Sequence, residues 1–214
     1  VLAVAMCFSA VTASAASVTE ATIDPDRAAS LELYKYDFTT ANEDGVLTDS
    51  TFVSTGQHDS AVEEALAPYA LQGVIYTYAK VADIMTYSEQ ETTGYKDMVL
   101  YALPDTSSSE QFLAALGLSR DDAYRIDHNE LQFMSDTLID GLAGQLGSIE
   151  SQTKNALEAY VHSNGGIDMP ETDAYGHSSV SDLAQGLYVV VETYVPENVT
   201  STTCLLYTSD AADD

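Results

Sequence analysis

The chain has 214 residues, with 34 acidic side chains against 7 lysines and arginines, a formal charge of −27 and 45% apolar residues. A surface this acidic repels nucleic acid and anionic lipid, so neither is expected as a partner. The acids are dispersed and the apolar content is ordinary, which argues for a folded chain rather than a disordered one, and the length suits one domain.

In chain order, residues 1–15 (VLAVAMCFSAVTASA) form an apolar run closing on Ala13-Ser14-Ala15, a small-residue cleavage pattern. It reads as the h-region and c-region of a secretory signal peptide whose basic n-region is missing, and it is too short for a comfortable membrane span. The far end, 204–214 (CLLYTSDAADD), matches a translation of the mosaic end and adapter of a transposase-based sequencing library. The native part is therefore expected to stop at Thr203. Cys7 and Cys204 both fall outside residues 17–203, which carry a charge of −24 once Asp210, Asp213 and Asp214 are set aside. An exported chain without cysteine in its mature part has no disulfide to staple it.

Residues 16–29 contain an Asp24-Pro25-Asp26 turn and read as an extended leader. A strand is expected over 31–38, a turn-rich loop over 39–45, and a short helix carrying Val62, Leu66, Tyr69 and Ala70, closed by Gly73. Residues 74–84 and 98–103 are rich enough in β-branched and aromatic side chains to be strands, with polar residues 87–96 as the loop between them. A helix is expected over 108–116, a short strand over 131–133, and apolar helical stripes at Leu138, Ile139, Leu142, Leu146, Ile149 and at Ala156, Leu157, Tyr160, Val161. Gly165-Gly166 stops the second stripe, and 167–183 reads as a long polar loop. The last native strand is Gly186–Tyr194, ended by Pro196.

Two of these strands carry one charged residue each in an apolar setting. In Ser30–Asp37, Leu31, Leu33 and Lys35 share one face by the period-two rule, so if the leucines face the core, Lys35 does too. In the late strand, Glu192 follows Tyr188, Val189, Val190 and Val191. Such a Glu ordinarily points to the polar side of an alternating strand, because burying a carboxylate costs heavily unless it is protonated or paired.

The pattern Leu-x-Leu-x-Lys-x-Asp in the first strand and Gly-x-Tyr-x-x-x-Glu-Thr-x-x-Pro in the late one resembles the isopeptide-forming β-sandwich domains of Gram-positive surface proteins. More closely, it looks like the N-terminal domain of a sortase-assembled, Spa-type major pilin. The resemblance implies an α+β chain built on an Ig-like, CnaB-like (transthyretin-like) β-sandwich with a helical insertion, spanning 30–203 and lacking its last strand. It implies a structural, cell-wall-linked pilus subunit on the cell surface, joined to other pilin subunits by sortase, with no membrane association after signal cleavage and with a host ligand as a further possible partner. It also implies roles for two residues: Lys35 as the amine of an intramolecular isopeptide bond and Glu192 as the assisting acid. The partner Asn belongs to a strand beyond Thr203, so this chain should not form the bond. Asn198 is the substitute within reach of the sequence, but it sits on the same segment as Glu192, which departs from the family's pattern.

Other residues point to blander roles. Lys80, Lys96 and Lys154 lack a pilin-motif context and read as surface cations. His58, His128, His162 and His177 stand alone in polar stretches without zinc-ligand spacing, and neither 24–26 nor Glu43-Asp44-Gly45 follows a calcium-loop pattern, so no metal or cofactor is expected. No Gly-x-Ser-x-Gly elbow occurs, and turnover chemistry is not expected. Two further readings stand beside the pilin: a host-binding adhesin or tip pilin with the same sandwich, and a secreted acidic hydrolase with paired carboxylates in a deep pocket. A missing last strand also predicts an unpaired sheet edge beside the first strand or beside Gly186–Tyr194.

Overall fold

The computed structural model describes residues 3–8, 27–46, 60–91, 94–122, 124–125, 132–135, 151–197 and 204–208. In chain order its strands are β1 (Ala3–Phe8), β2 (Ala29–Asp37), β3 (Ile75–Glu91), β4 (Gly94–Leu103), β5 (Tyr124–Arg125), β6 (Gln132–Ser135), β7 (Ile167–Asp168), β8 (His177–Leu183), β9 (Leu187–Tyr194) and β10 (Cys204–Thr208). The helices are α1 (Phe38–Glu43), α2 (Ser60–Leu66), α3 (Ser107–Ala115) and α4 (Ser151–Ser163). The chain is thus a mixed α+β fold, and every strand pairing among the described residues is antiparallel.

Three strands form a small sheet in the order β1-β2-β8, and the others form a larger one in the order β10-β9-β3-β4-β6-β5, with β7 on β3. Strand β9 explains how the layers stack. Its residues Leu187–Glu192 are all buried, so both of its faces must be covered. Leu187, Val189 and Val191 pack with Phe112 and Leu113 of α3 and with Leu157 and Val161 of α4. Tyr188 and Val190, on the other face, pack with Leu31 and Leu33 of β2. The helices therefore lie on one side of the large sheet and the small sheet on the other. Each fully buried aliphatic side chain in these layers contributes about 1.5–3 kcal/mol relative to an exposed one.

Several elements differ from the sequence expectation. Residues 39–45 are not a loop: Asp37 accepts from the Thr40 amide at 3.1 Å, and this cap starts α1. Residues 87–91 and 94–96 are not a loop either, because β3 and β4 run on, pairing Tyr87 with Met98 and Glu91 with Gly94. A two-stranded ribbon can carry polar residues on both faces while its backbone ladder continues. The 167–183 stretch contains β7 and β8, and β8 is an edge strand of the small sheet, which explains its polar composition. The leader through residue 26 and the stripe at 138–149 lie outside the described residues.

Among the described residues, neither the first strand nor Leu187–Tyr194 is left at the expected open edge. Strand β2 is flanked by β1 and β8, and β9 by β10 and β3. Short apolar runs from residues 1–15 and 204–214 complete both ladders, pairing backbone groups that would otherwise be left at an edge.

Candidate functional site

Period-two alternation places Leu31, Leu33 and Lys35 on the inner face of β2, and all three have no exposed surface. The same rule puts Glu192 on the face of β9 that carries Tyr188 and Val190, which looks across at β2. The two charged residues therefore meet between the sheets. Lys35 Nζ donates to Glu192 Oε2 at 2.5 Å, with both side chains fully buried. Lys35 and Glu192, singled out in the sequence, are brought together across 157 positions of chain.

The backbone around Lys35 is fixed on both sides. Its amide donates to the Gly176 carbonyl and its carbonyl accepts from the Leu71 amide, both at 2.9 Å. Gly176 has φ +75°, and a Cβ there would lie 2.4 Å from the Lys35 carbonyl oxygen. Only glycine can take that conformation this close to a backbone oxygen. On the other strand, Glu192 is the register partner of Tyr76, itself fully buried.

Burial dominates the electrostatics. It holds the Lys35 ammonium below its ordinary value, against the opposing pull of the Glu192 charge and hydrogen bond. It holds the Glu192 carboxyl above its ordinary value, against the opposing effect of Lys35. Both shifts run towards the neutral amine and the protonated acid. Glu192 Oε1 is buried without a hydrogen bond, although the Tyr76 hydroxyl lies near enough to favour the charged carboxylate. The half-buried Lys154, read from the sequence as a surface cation, lies on the first turn of α4, and its charge has a minor effect on both members of the pair.

Chemically, a shared proton between a lysine and a glutamate in an apolar slot can produce a neutral amine, which is a nucleophile, beside a carboxylic acid, which can donate a proton. Tyr76 and Gly176 support this arrangement and were not singled out in the sequence. Tyr76 could have been found from the Tyr76-x-Tyr78 alternation; Gly176 leaves no pattern of its own.

The remaining candidates lie elsewhere. Lys80 pairs with Asp83 at 2.6 Å, and the side chain of Lys96 is outside the described residues, as are Asn198, His58, His128 and residues 24–26. His162 is exposed, 3.9 Å from Glu158, and His177 belongs to β8 rather than to a loop. Asp44 accepts from the Tyr69 hydroxyl at 2.9 Å at the end of α1.

Among the described residues no helix is long and apolar enough to cross a membrane. No family model matches the chain, and no curated protein does. Two solved structures are similar to it, the pilus backbone (RrgB) and the full-length RrgB pilus protein, both from Streptococcus pneumoniae. Each is 15% identical over 65% of this chain, with TM-scores of 0.23 and 0.22. The chain spans 30% of the first and 23% of the second.

Proposed function

We propose that the chain is the N-terminal part of a structural pilus subunit, in which Lys35 is the amine of an intramolecular isopeptide bond and Glu192 the acid that assists it. The observation that carries this reading is the fully buried Lys35–Glu192 pair, held between two sheets with the lysine pushed towards its neutral form. In the reaction, the neutral Lys35 Nζ attacks the side-chain carbonyl carbon of an asparagine. A new C–N amide bond forms and the asparagine C–N bond breaks. Protonated Glu192 polarises the carbonyl and delivers the proton with which ammonia leaves; the proton lost by Nζ restores the acid.

The asparagine would come from a following strand of the longer protein, and sortase would link successive subunits on the cell wall. An isopeptide bond there would hold distant strands together in a shaft that has no disulfide in residues 17–203. Burial of Glu192 favours such self-directed chemistry over the hydrolase reading, because an acid with 1% exposure, already hydrogen-bonded to lysine, meets no diffusing substrate.

The test is the intact mass of a longer chain that carries the following strand. A loss of about 17 Da, one ammonia, is expected with Glu192 and not with Glu192→Ala. An unchanged mass in both would reject the crosslinking role.

A further inference from the structure

The outer face of β2 holds a second arrangement that the Lys35–Glu192 chemistry does not use. Tyr34 and Tyr36 point away from the inter-sheet core, and their rings lie 6.3 Å apart and nearly parallel. His177, the register partner of Tyr34 on β8, puts its ring 4.8 Å from Tyr34. These residues line a cleft of about 240 Å³ together with Glu63 and Ala67 from the α2 region and Asp173 and Tyr175 from the turn before β8, Tyr36 being almost fully buried beneath it. Among the described residues, three tyrosines, a histidine and two carboxylates line it, and no lysine or arginine does.

We propose that this cleft binds a lysine or arginine side chain presented by another protein. Tyrosine faces attract a cation through the ring quadrupole, and the carboxylates supply acceptors for its N–H groups. Asp173 is fixed for that role: its Oδ1 accepts from the amides of Tyr175 at 2.8 Å and His177 at 3.0 Å. The field in the cleft is negative. Tyr34 is pushed up to about 12 by burial and then by Glu63, Glu32 and Asp173, and Tyr36 to about 12 by burial, Glu63, Tyr34 and Asp173. Tyr175, 70% exposed, stands at the rim, where an entering stem would pass. The volume is below that of a pocket for a drug-sized molecule and suits a single side chain. The chain's net charge draws basic partners towards it at long range.

With four histidines in the chain, the His177 imidazole signal is a convenient reporter in proton NMR. The probes are the Nα-acetyl methylamides of lysine, arginine and norleucine, with tetramethylammonium as a cation that has no N–H to donate. Saturable shifts of His177 are expected with the lysine and arginine amides, weaker ones with tetramethylammonium, which the tyrosine faces attract but which has no N–H to donate, and none with norleucine. The charge-removing pair Glu63→Gln/Asp173→Asn keeps one acceptor oxygen at each position, and should weaken binding at least about tenfold while the melting temperature shows it folded. Equal response to norleucine, response to tetramethylammonium alone, no response at all, or undiminished affinity in the folded double variant would each overturn the proposal.

Discussion

A lysine and a glutamate without exposed surface are an uneasy pair in energetic terms. Desolvating both ions costs several kcal/mol each, and their attraction offsets this only when the contact is close, as the 2.5 Å separation of Nζ and Oε2 is. Removing one partner leaves the other charge stranded. Lys35→Met should therefore cost about 3–5 kcal/mol at neutral pH, whereas Lys35→Met/Glu192→Leu should be near neutral or more stable by up to about 4 kcal/mol. The pH dependence follows from the direction of the shifts. Glu192 lies above its ordinary value of 4.5, so the folded state binds more protons there; its contribution is full below 4.5 and is lost as pH rises through the folded value. Lys35 lies below 10.5, so its contribution is full above 10.5 and is lost as pH falls through the folded value. In Lys35→Met only the first effect remains. Urea unfolding should show a smaller penalty at about pH 4 than at about pH 7, and an equal penalty at both would contradict a buried, proton-binding Glu192.

At the level of elements, β2 does two jobs with one alternation: Leu31, Leu33 and Lys35 face the inter-sheet core, and Tyr34 and the buried Tyr36, on the other face, line the cleft. Its register is held by the turn that closes on Gly176. Gly176→Ala forces a Cβ to 2.4 Å from the Lys35 carbonyl at a positive φ, and should lower stability by about 1–3 kcal/mol or more, read as a fall in melting temperature. No fall would show that the turn yields freely. The face of Lys35 was legible because leucines at 31 and 33 set the phase of a period-two strand. Glu192 was less so, since four preceding apolar residues show no alternation; a strand covered on both faces reads as a continuous apolar run. Strand β8 (HSSVSDL) was not legible at all. It lies at a sheet edge, where pairing comes from the backbone and polar side chains are tolerated. The α1 helix was hidden for a similar reason, being one and a half turns long and set by a single Asp37 cap.

For the whole molecule, the layering decides what the buried pair can do. Helices α3 and α4 cover one face of the large sheet and the three-stranded sheet covers the other, so Lys35 and Glu192 are sealed by apolar side chains from both sheets. The strands that carry them are far apart in sequence, Lys35 and Glu192 being 157 positions apart, and the proposed bond from Lys35 would tie β2 to the strand that supplies the asparagine. The strongly acidic exterior governs which partners approach. The central claim is that Lys35 lies inside this stack, against Glu192 and out of reach of solvent. Amine acylation of the native chain, followed by mapping of the modified lysines by mass spectrometry, tests it most directly. Lys80, with a side chain 31% exposed, should react readily, and Lys35 should react only after unfolding. Modification of native Lys35 at a rate comparable to that of Lys80 would contradict the account.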